Sequence, residues 1–399
     1  MSNKITEFML LVFLGTVGLF ALGSYAQDLN IPFKVLYNFS GGSDGCCLAG
    51  GLARDAAGNL YGVASASNGG AGSGDLFMLA YSNGHYQFRV LHSFNGQDGR
   101  TCQTTPTVDG AGNIFGVCGQ GGGVDQGTLW VYTHAGKFIH LFSFGASNGT
   151  MPQDRVAADN KGNIYGTAYT SGPGNSGTLW QYSTTQSSFT ILHSFQDRDD
   201  GGILSSGPLL DQNGVLWGTT DFGPSCYYCG DGTAWNYDLS TGTFTTFLDF
   251  DSTGVRSPQS HFTIDKQGNL FGSAYAPPGG LGCGLIYELP KDNNYQPVVI
   301  DEYSGDFAPC NPDGGLTFDK RGNLLGVTSN GGQYGYGVVF GLVPSNGAWQ
   351  QTILHTFDGT DGRTPEGGLV TDGQGRWFGT ASLGGQNKWG TVYGFAGVP

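Results

Sequence analysis

An Asp-x-x-Gly turn followed by a hydrophobic pair and a second glycine recurs seven times. It runs over Asp55–Gly62, Asp109–Gly116, Asp159–Gly166, Asp211–Gly218, Asp265–Gly272, Asp319–Gly326 and Asp372–Gly379. The closing glycines stand 54, 50, 52, 54, 54 and 53 residues apart. A period near 50 restricts the fold to a solenoid, a propeller or an array.

Each period carries four extended segments. One precedes the Asp, as in Gly51–Arg54, and the hydrophobic pair forms the second. After a Gly/Ser/Asn-rich loop, the third opens on a glycine and ends on an aromatic, as in Gly127–Trp130 and Gly177–Trp180. The fourth ends on Phe39, Phe94, Phe144, Phe195, Phe250, Tyr303 or Phe357. Four short antiparallel strands per ~50 residues make a propeller blade, whereas a β-helix needs a shorter repeat. The expected fold is all-β: a seven-bladed β-propeller with four antiparallel strands per blade, its blade repeats starting near residues 51, 105, 155, 207, 261, 315 and 368. The segment Phe33–Phe39 is a fourth strand with no strands before it, and the last repeat stops after three. The N-terminal strand is therefore expected to complete the last blade, which removes the free edges of an open array.

Composition fits this architecture. The 72 glycines come with 13% aromatic residues, and disordered chains lack aromatics. A net charge of −14 leaves no basic stripe for nucleic acid and argues against anionic lipid. Residues 1–26 read as a signal peptide: Lys4, an apolar run over Phe8–Leu22, then Ser24 and Ala26 at the −3 and −1 positions of a cut before Gln27. Residues 27–399 are expected to form one exported domain, secreted or periplasmic, monomeric, and without a permanent membrane span or a C-terminal anchor. The even count of eight cysteines suits disulfides in that compartment.

Several motifs recur in fixed order: Asn163–Thr167 (NIYGT), Gly177–Trp180 (GTLW), Ile191–Phe195 (ILHSF) and Asp361–Pro365 (DGRTP). In these the chain resembles the Gloeo/Verruco (GloVer) tandem repeat proteins over essentially its whole mature length. The resemblance implies an exported β-propeller-like protein and brings no catalytic residues. Members are often tethered by a C-terminal sorting signal, which the ending VYGFAGVP does not match.

All eight cysteines fall in the loops expected on one face of the ring. Cys102–Cys118 and Cys283–Cys310 are the favoured bridges and Cys226–Cys229 a local one, while Cys46 and Cys47 have no assigned partner. Four residues before each turn Asp, four blades carry Gly51, Gly207, Gly315 and Gly368, whereas the other three carry Thr105, Arg155 and His261, with Asp154 beside Arg155. Departures from a repeat mark positions where a site can be grafted, so Asp154, Arg155, His261 and Thr105 are candidate ligand residues; a polar ring around channel water is the plainer reading. Phe222, Tyr227, Tyr228, Tyr334, Tyr336 and Trp389 are loop aromatics that can stack on sugar or peptide, or pack between loops. His92, His193 and His355 share one position of the repeat and read as packing. One Asp per turn cannot supply the six to eight oxygens that calcium takes, and the Asp197, Asp199 and Asp200 run reads as a solvated loop. No metal or cofactor is called for. G-x-S-x-G, H-E-x-x-H and P-loop motifs are missing. The function expected is an exported binding or envelope-interaction scaffold for carbohydrate or protein; a lyase or hydrolase at the channel mouth is the alternative.

Overall fold

The computed structural model describes residues 32–67, 72–159, 161–196, 199–223, 231–251, 253–276, 282–305 and 307–398. Seven antiparallel sheets follow one another, each with a very short innermost strand and three longer ones. Blade one runs Ala53–Arg54, Leu60–Ala64, Asp75–Ser82 and His85–Ser93. Blades three and five carry an additional entry strand, Thr150–Pro152 and Arg256–Pro258. Blade seven is assembled from both ends of the described chain: Phe33–Asn38 pairs with Thr391–Ala396, Phe33 opposite Phe395 and Asn38 opposite Thr391. The Phe39 N–H extends that pairing to the Gly390 carbonyl at 3.0 Å, as the lone N-terminal strand predicts. Among the described residues no helix is long and apolar enough to cross a membrane.

The two sevenfold sequence signals turn out to be one structural unit. The closing glycine of each turn motif sits directly opposite the aromatic of the third strand, as with Gly62 and Phe77, Gly166 and Trp180, or Gly379 and Tyr393. A Cβ placed on Gly166 would lie 2.2 Å from the Trp180 ring, and one on Gly62 2.4 Å from Phe77. Glycine is there so that a large ring can lie flat over the neighbouring strand. Trp130, Trp180, Trp235, Tyr287 and Tyr393 are in this way fully buried. The turn aspartates act as caps: Asp55 accepts from the Asn59 backbone at 2.9 Å and its side-chain amide at 2.8 Å, and Gly58 follows at φ 92°.

Outer strands of adjacent blades are joined by stacked rings. His92 lies on Phe138 with centroids 3.6 Å apart, His193 on Phe244 at 3.5 Å and His355 on Phe33 at 3.6 Å. Each imidazole Nε2 also meets a carboxylate: Asp98 at 3.0 Å, Asp200 at 2.6 Å and Asp361 at 2.6 Å. Asp200, from the acidic run, is thus an anchor for His193; Asp197 lies outside the described residues.

Candidate functional site at the channel mouth

Every blade is entered through the same kink. The residue four before the first blade position is left-handed in all seven: Cys47, Thr101, Met151, Ile203, Ser257, Asn311 and Thr364, with φ from 52° to 62°. None is glycine, and Thr101, Ile203 and Thr364 are β-branched, the type least suited to that region. Two residues on, the chain lines a cavity of about 250 Å³ where the blades converge. The lining is unequal. Blades two, three and five present Gln103, Gln153 and Gln259; blades six and seven present Asp313 and Glu366; blades one and four present the small Ala49 and Ser205.

Asp154 sits at the edge of this ring and departs from the repeat in its backbone. Its φ is 57°, while Gly50, Thr104, Ser206, Ser260, Gly314 and Gly367 at the same position of the other blades all avoid positive φ. Its carboxylate reaches across blade four. Oδ2 accepts from the Gly207 N–H at 3.0 Å and lies 3.3 Å from His261 Nδ1. Glycine is needed at 207, where a Cβ would meet the Arg155 carbonyl at 2.0 Å, and at 315, where it would meet the His261 ring at 2.6 Å. Thr105 plays the matching part on the other side, accepting from the Gly51 N–H at 2.8 Å. The structure therefore brings Asp154, Arg155 and His261 together, with Thr105 and His261 both lining the cavity. Arg155 is not part of the lining; its stem runs under Gly207 and its Nε has no hydrogen-bond partner.

The electrostatics of the group are those of a buried, mixed-charge cluster. Burial works to raise the Asp154 carboxyl, but His261, the Arg155 charge and the Gly207 N–H outweigh it and hold the group well below the usual carboxylate range. Burial, then the neighbouring Arg155 cation, lowers His261 against the pull of Asp154. Near neutral pH the pair is thus a carboxylate and a neutral imidazole, with Nδ1 the ring nitrogen that faces the carboxylate. Burial lowers Arg155 too, opposed by Asp154.

The acidic arc is perturbed in the other direction. Burial, then the charge of Asp313, pushes Glu366 up to about 7. Burial raises Asp313 against a hydrogen bond from the Ser329 hydroxyl, 3.0 Å away. Blade four holds the reciprocal arrangement, with Ser205 on the lining and Asp221 behind it; their hydrogen bond is 2.6 Å, and burial pushes Asp221 up to about 7. In blade five the equivalent register position carries Tyr275, half exposed at 51%.

Asp313, Glu366 and the three glutamines are absent from the sequence-derived candidates. Those were read four residues before the turn Asp; the lining ring stands two residues earlier still. A signal existed, since three Gln, an Asp and a Glu at one position of a glycine-rich repeat are themselves departures from uniformity. Of the loop aromatics, Tyr334 and Tyr336 are exposed, at 52% and 38%. Trp389 is instead half-buried, because the loop at Gly41 lies over its ring and the first-blade core packs against it. Phe222 is partly buried and pairs with Gly202. Tyr227, Tyr228, Cys226 and Cys229 lie outside the described residues. Cys102 is bonded to Cys118 and Cys283 to Cys310; Cys46 and Cys47 are free thiols.

Fold and mouth together define a closed seven-bladed propeller with one asymmetric polar cavity. The repeat family is also shown: the model of the Gloeobacter/Verrucomicrobia repeat matches residues 24–229 and 223–397, and the chain belongs to that family. No curated protein matches it. Among solved structures it is similar to the extracellular domain of a putative one-component system from B. thetaiotaomicron, with a TM-score of 0.58, 12% identity, and coverage of 90% of this chain and 39% of that one. It is similar to PorZ, an essential surface component of the type-IX secretion system of Porphyromonas gingivalis, with a TM-score of 0.54, 13% identity, and coverage of 90% and 48%. It is also similar to an oligogalacturonate lyase in complex with manganese, with a TM-score of 0.54, 10% identity, and coverage of 94% and 98%. The chain thus spans about two fifths of the length of the first of these and about half of the second. At such identities the likeness is one of fold.

Proposed function

We propose that this protein is an exported binding scaffold that seats its ligand, carbohydrate or protein, at the channel mouth. The observation that carries the reading is Asp154: a left-handed, non-glycine residue, unlike its six counterparts, whose side chain ties blade three to His261 of blade five. Backbone strain of this kind persists where the surroundings enforce it, and it clusters at functional sites. Export is supported by the leader-like residues 1–26 and by two disulfides on the mouth face. The likeness to the extracellular domain of a putative one-component system and to a surface component of a secretion system agrees with it.

A glycan array and a panel of envelope-protein fragments, probed with the purified mature chain, test the proposal. Arg155→Ala and His261→Ala should each weaken the binding found by about tenfold while leaving the circular dichroism spectrum intact. Binding equal to the parent in both variants would move the site to the exposed loop aromatics.

One observation favours a second reading, a lyase or hydrolase. His261, oriented by Asp154, shares a cavity with Glu366, a carboxyl poised to exchange a proton near neutral pH. Turnover of a polysaccharide that is lost in both His261→Ala and Glu366→Gln would establish it.

A further inference from the structure

The mouth can be read further from the chemistry of its lining. We infer that the cavity takes a hydroxyl-rich ligand, the end or a short stretch of a saccharide bearing no carboxylate groups. This rests on the mouth being the binding site.

The lining argues against apolar and anionic ligands. An apolar ligand would find Ala49 as its one apolar side chain among the lining residues. An anionic ligand would meet Asp154, Asp313 and Glu366 with no cation in the lining to offset them. Arg155 stands outside the lining, beside the Asp154 carboxylate. Asp154 is already matched by Arg155, His261 and the Gly207 N–H, whereas Asp313 and Glu366 oppose each other's charge, so an amino group on the ligand would be accepted beside them. Hydroxyls fit the lining. Each donates and accepts at once, as do the amides of Gln103, Gln153 and Gln259 and the hydroxyl of Ser260, all of which line the cavity. A carboxyl shared between protonated and ionised forms serves either end of an O–H bond.

Size and rim agree. At about 250 Å³ the cavity is smaller than pockets for drug-sized ligands, roughly 300–1,000 Å³, and suits one or two sugar rings. The rest of an oligomer must then lie over the rim. The register places Tyr275, 51% exposed, beside Gln259 there, as a face on which a sugar ring can stack.

Titration calorimetry of the mature chain decides this, using oligosaccharides of equal length in three series: neutral glucose, galactose and mannose oligomers, oligouronates, and glucosamine oligomers. A neutral or glucosamine series should bind. Gln103→Ala and Gln259→Ala should each weaken that binding about three- to tenfold, the range set by one lost hydrogen bond, and Tyr275→Ala by a similar factor, with melting temperatures unchanged. Binding only of the uronate series, or binding indifferent to both glutamines, overturns the inference. The mouth reading survives that result if Arg155→Ala and His261→Ala abolish whatever binding is seen, and falls with it if they do not. Binding of no series overturns the saccharide inference outright.

Discussion

Two kinds of histidine–aspartate pair occur in this molecule, and they teach opposite lessons. On the rim, His92, His193 and His355 each meet an aspartate within 3.0 Å and lie flat on a phenylalanine of the next blade. At the mouth, His261 meets Asp154 at 3.3 Å, skips blade four entirely, and draws on a backbone conformation found at no equivalent position. The rim pairs belong to the repeat and hold neighbouring blades together. The mouth pair breaks the repeat and gives a sevenfold ring one distinguishable side. The same residue types are scaffolding in one place and a candidate site in the other, and burial and uniqueness separate them rather than chemistry.

The sharpest way to break this comparison is at the rim's last joint. Removing residues 27–40 takes away Phe33, on which His355 stacks, and the strand that pairs with Thr391–Ala396. The melting temperature should fall by about 10 °C or more, or the cooperative transition should vanish, since a blade core is exposed along one edge. An unchanged transition would mean that the ring does not depend on its closing strand.

Next in size are the staples on the mouth face. Loss of Cys283–Cys310, which closes a separation of 27 residues, should cost roughly 3 kcal/mol in the chain-entropy model, read as the denaturant midpoint of the double substitution Cys283→Ser and Cys310→Ser against the parent. Thiol titration of the unreduced, unfolded protein should find no more than two free groups, Cys46 and Cys47. Eight reactive thiols would contradict both the bridges and export.

A direct contrast of the two pairs comes from His193→Ala against His261→Ala. The rim variant loses its stack on Phe244 and the Asp200 contact, about 1–2 kcal/mol of stability, and should bind ligand as the parent does. The mouth variant should show the reverse emphasis, with binding lost before stability. If both changes act alike, the division into scaffold and site is wrong.

The smallest effects are in pH dependence, and their signs differ across the mouth. Glu366 and Asp221, raised to about 7 in the fold, favour the native state while protonated, so their contribution is complete below the unfolded carboxylate range and is lost as pH rises through about 7. Glu366→Gln and Asp221→Asn should therefore flatten a fall in melting temperature between pH 5 and pH 8, by a few degrees at most because both groups are partly exposed. His261, lowered from its usual value, acts oppositely: the unfolded chain takes up its proton first, and stability drops as pH falls through the unfolded histidine range. His261→Gln should remove that acid-side loss, and melting curves of the three variants at pH 5, 6.5 and 8 separate the two signs.

What could be read from residues alone was whatever repeats. Blade number, strand order, the closing role of Phe33–Phe39 and the capping aspartates all follow from spacing, because a repeated local motif must find the same local partners each time, and the clustering of the cysteines in loops of one face favours the pairing of Cys102 with Cys118 and Cys283 with Cys310. Spacing also singled out Asp154, Arg155 and His261, since a departure from a repeat is visible without coordinates. Which side chains face the cavity was decided by tertiary structure. The kink at Cys47, Thr101 and their counterparts turns the chain by means of non-glycine residues in the left-handed region, which no propensity announces. Past it the inward-facing position is Gln103, Gln259, Asp313 or Glu366 rather than the residue two further on. The burial of Trp389 has the same origin: a ring in a loop is exposed or covered according to what the neighbouring blade places over it, and that neighbour, the N-terminal strand's own loop at Gly41, comes from the opposite end of the chain.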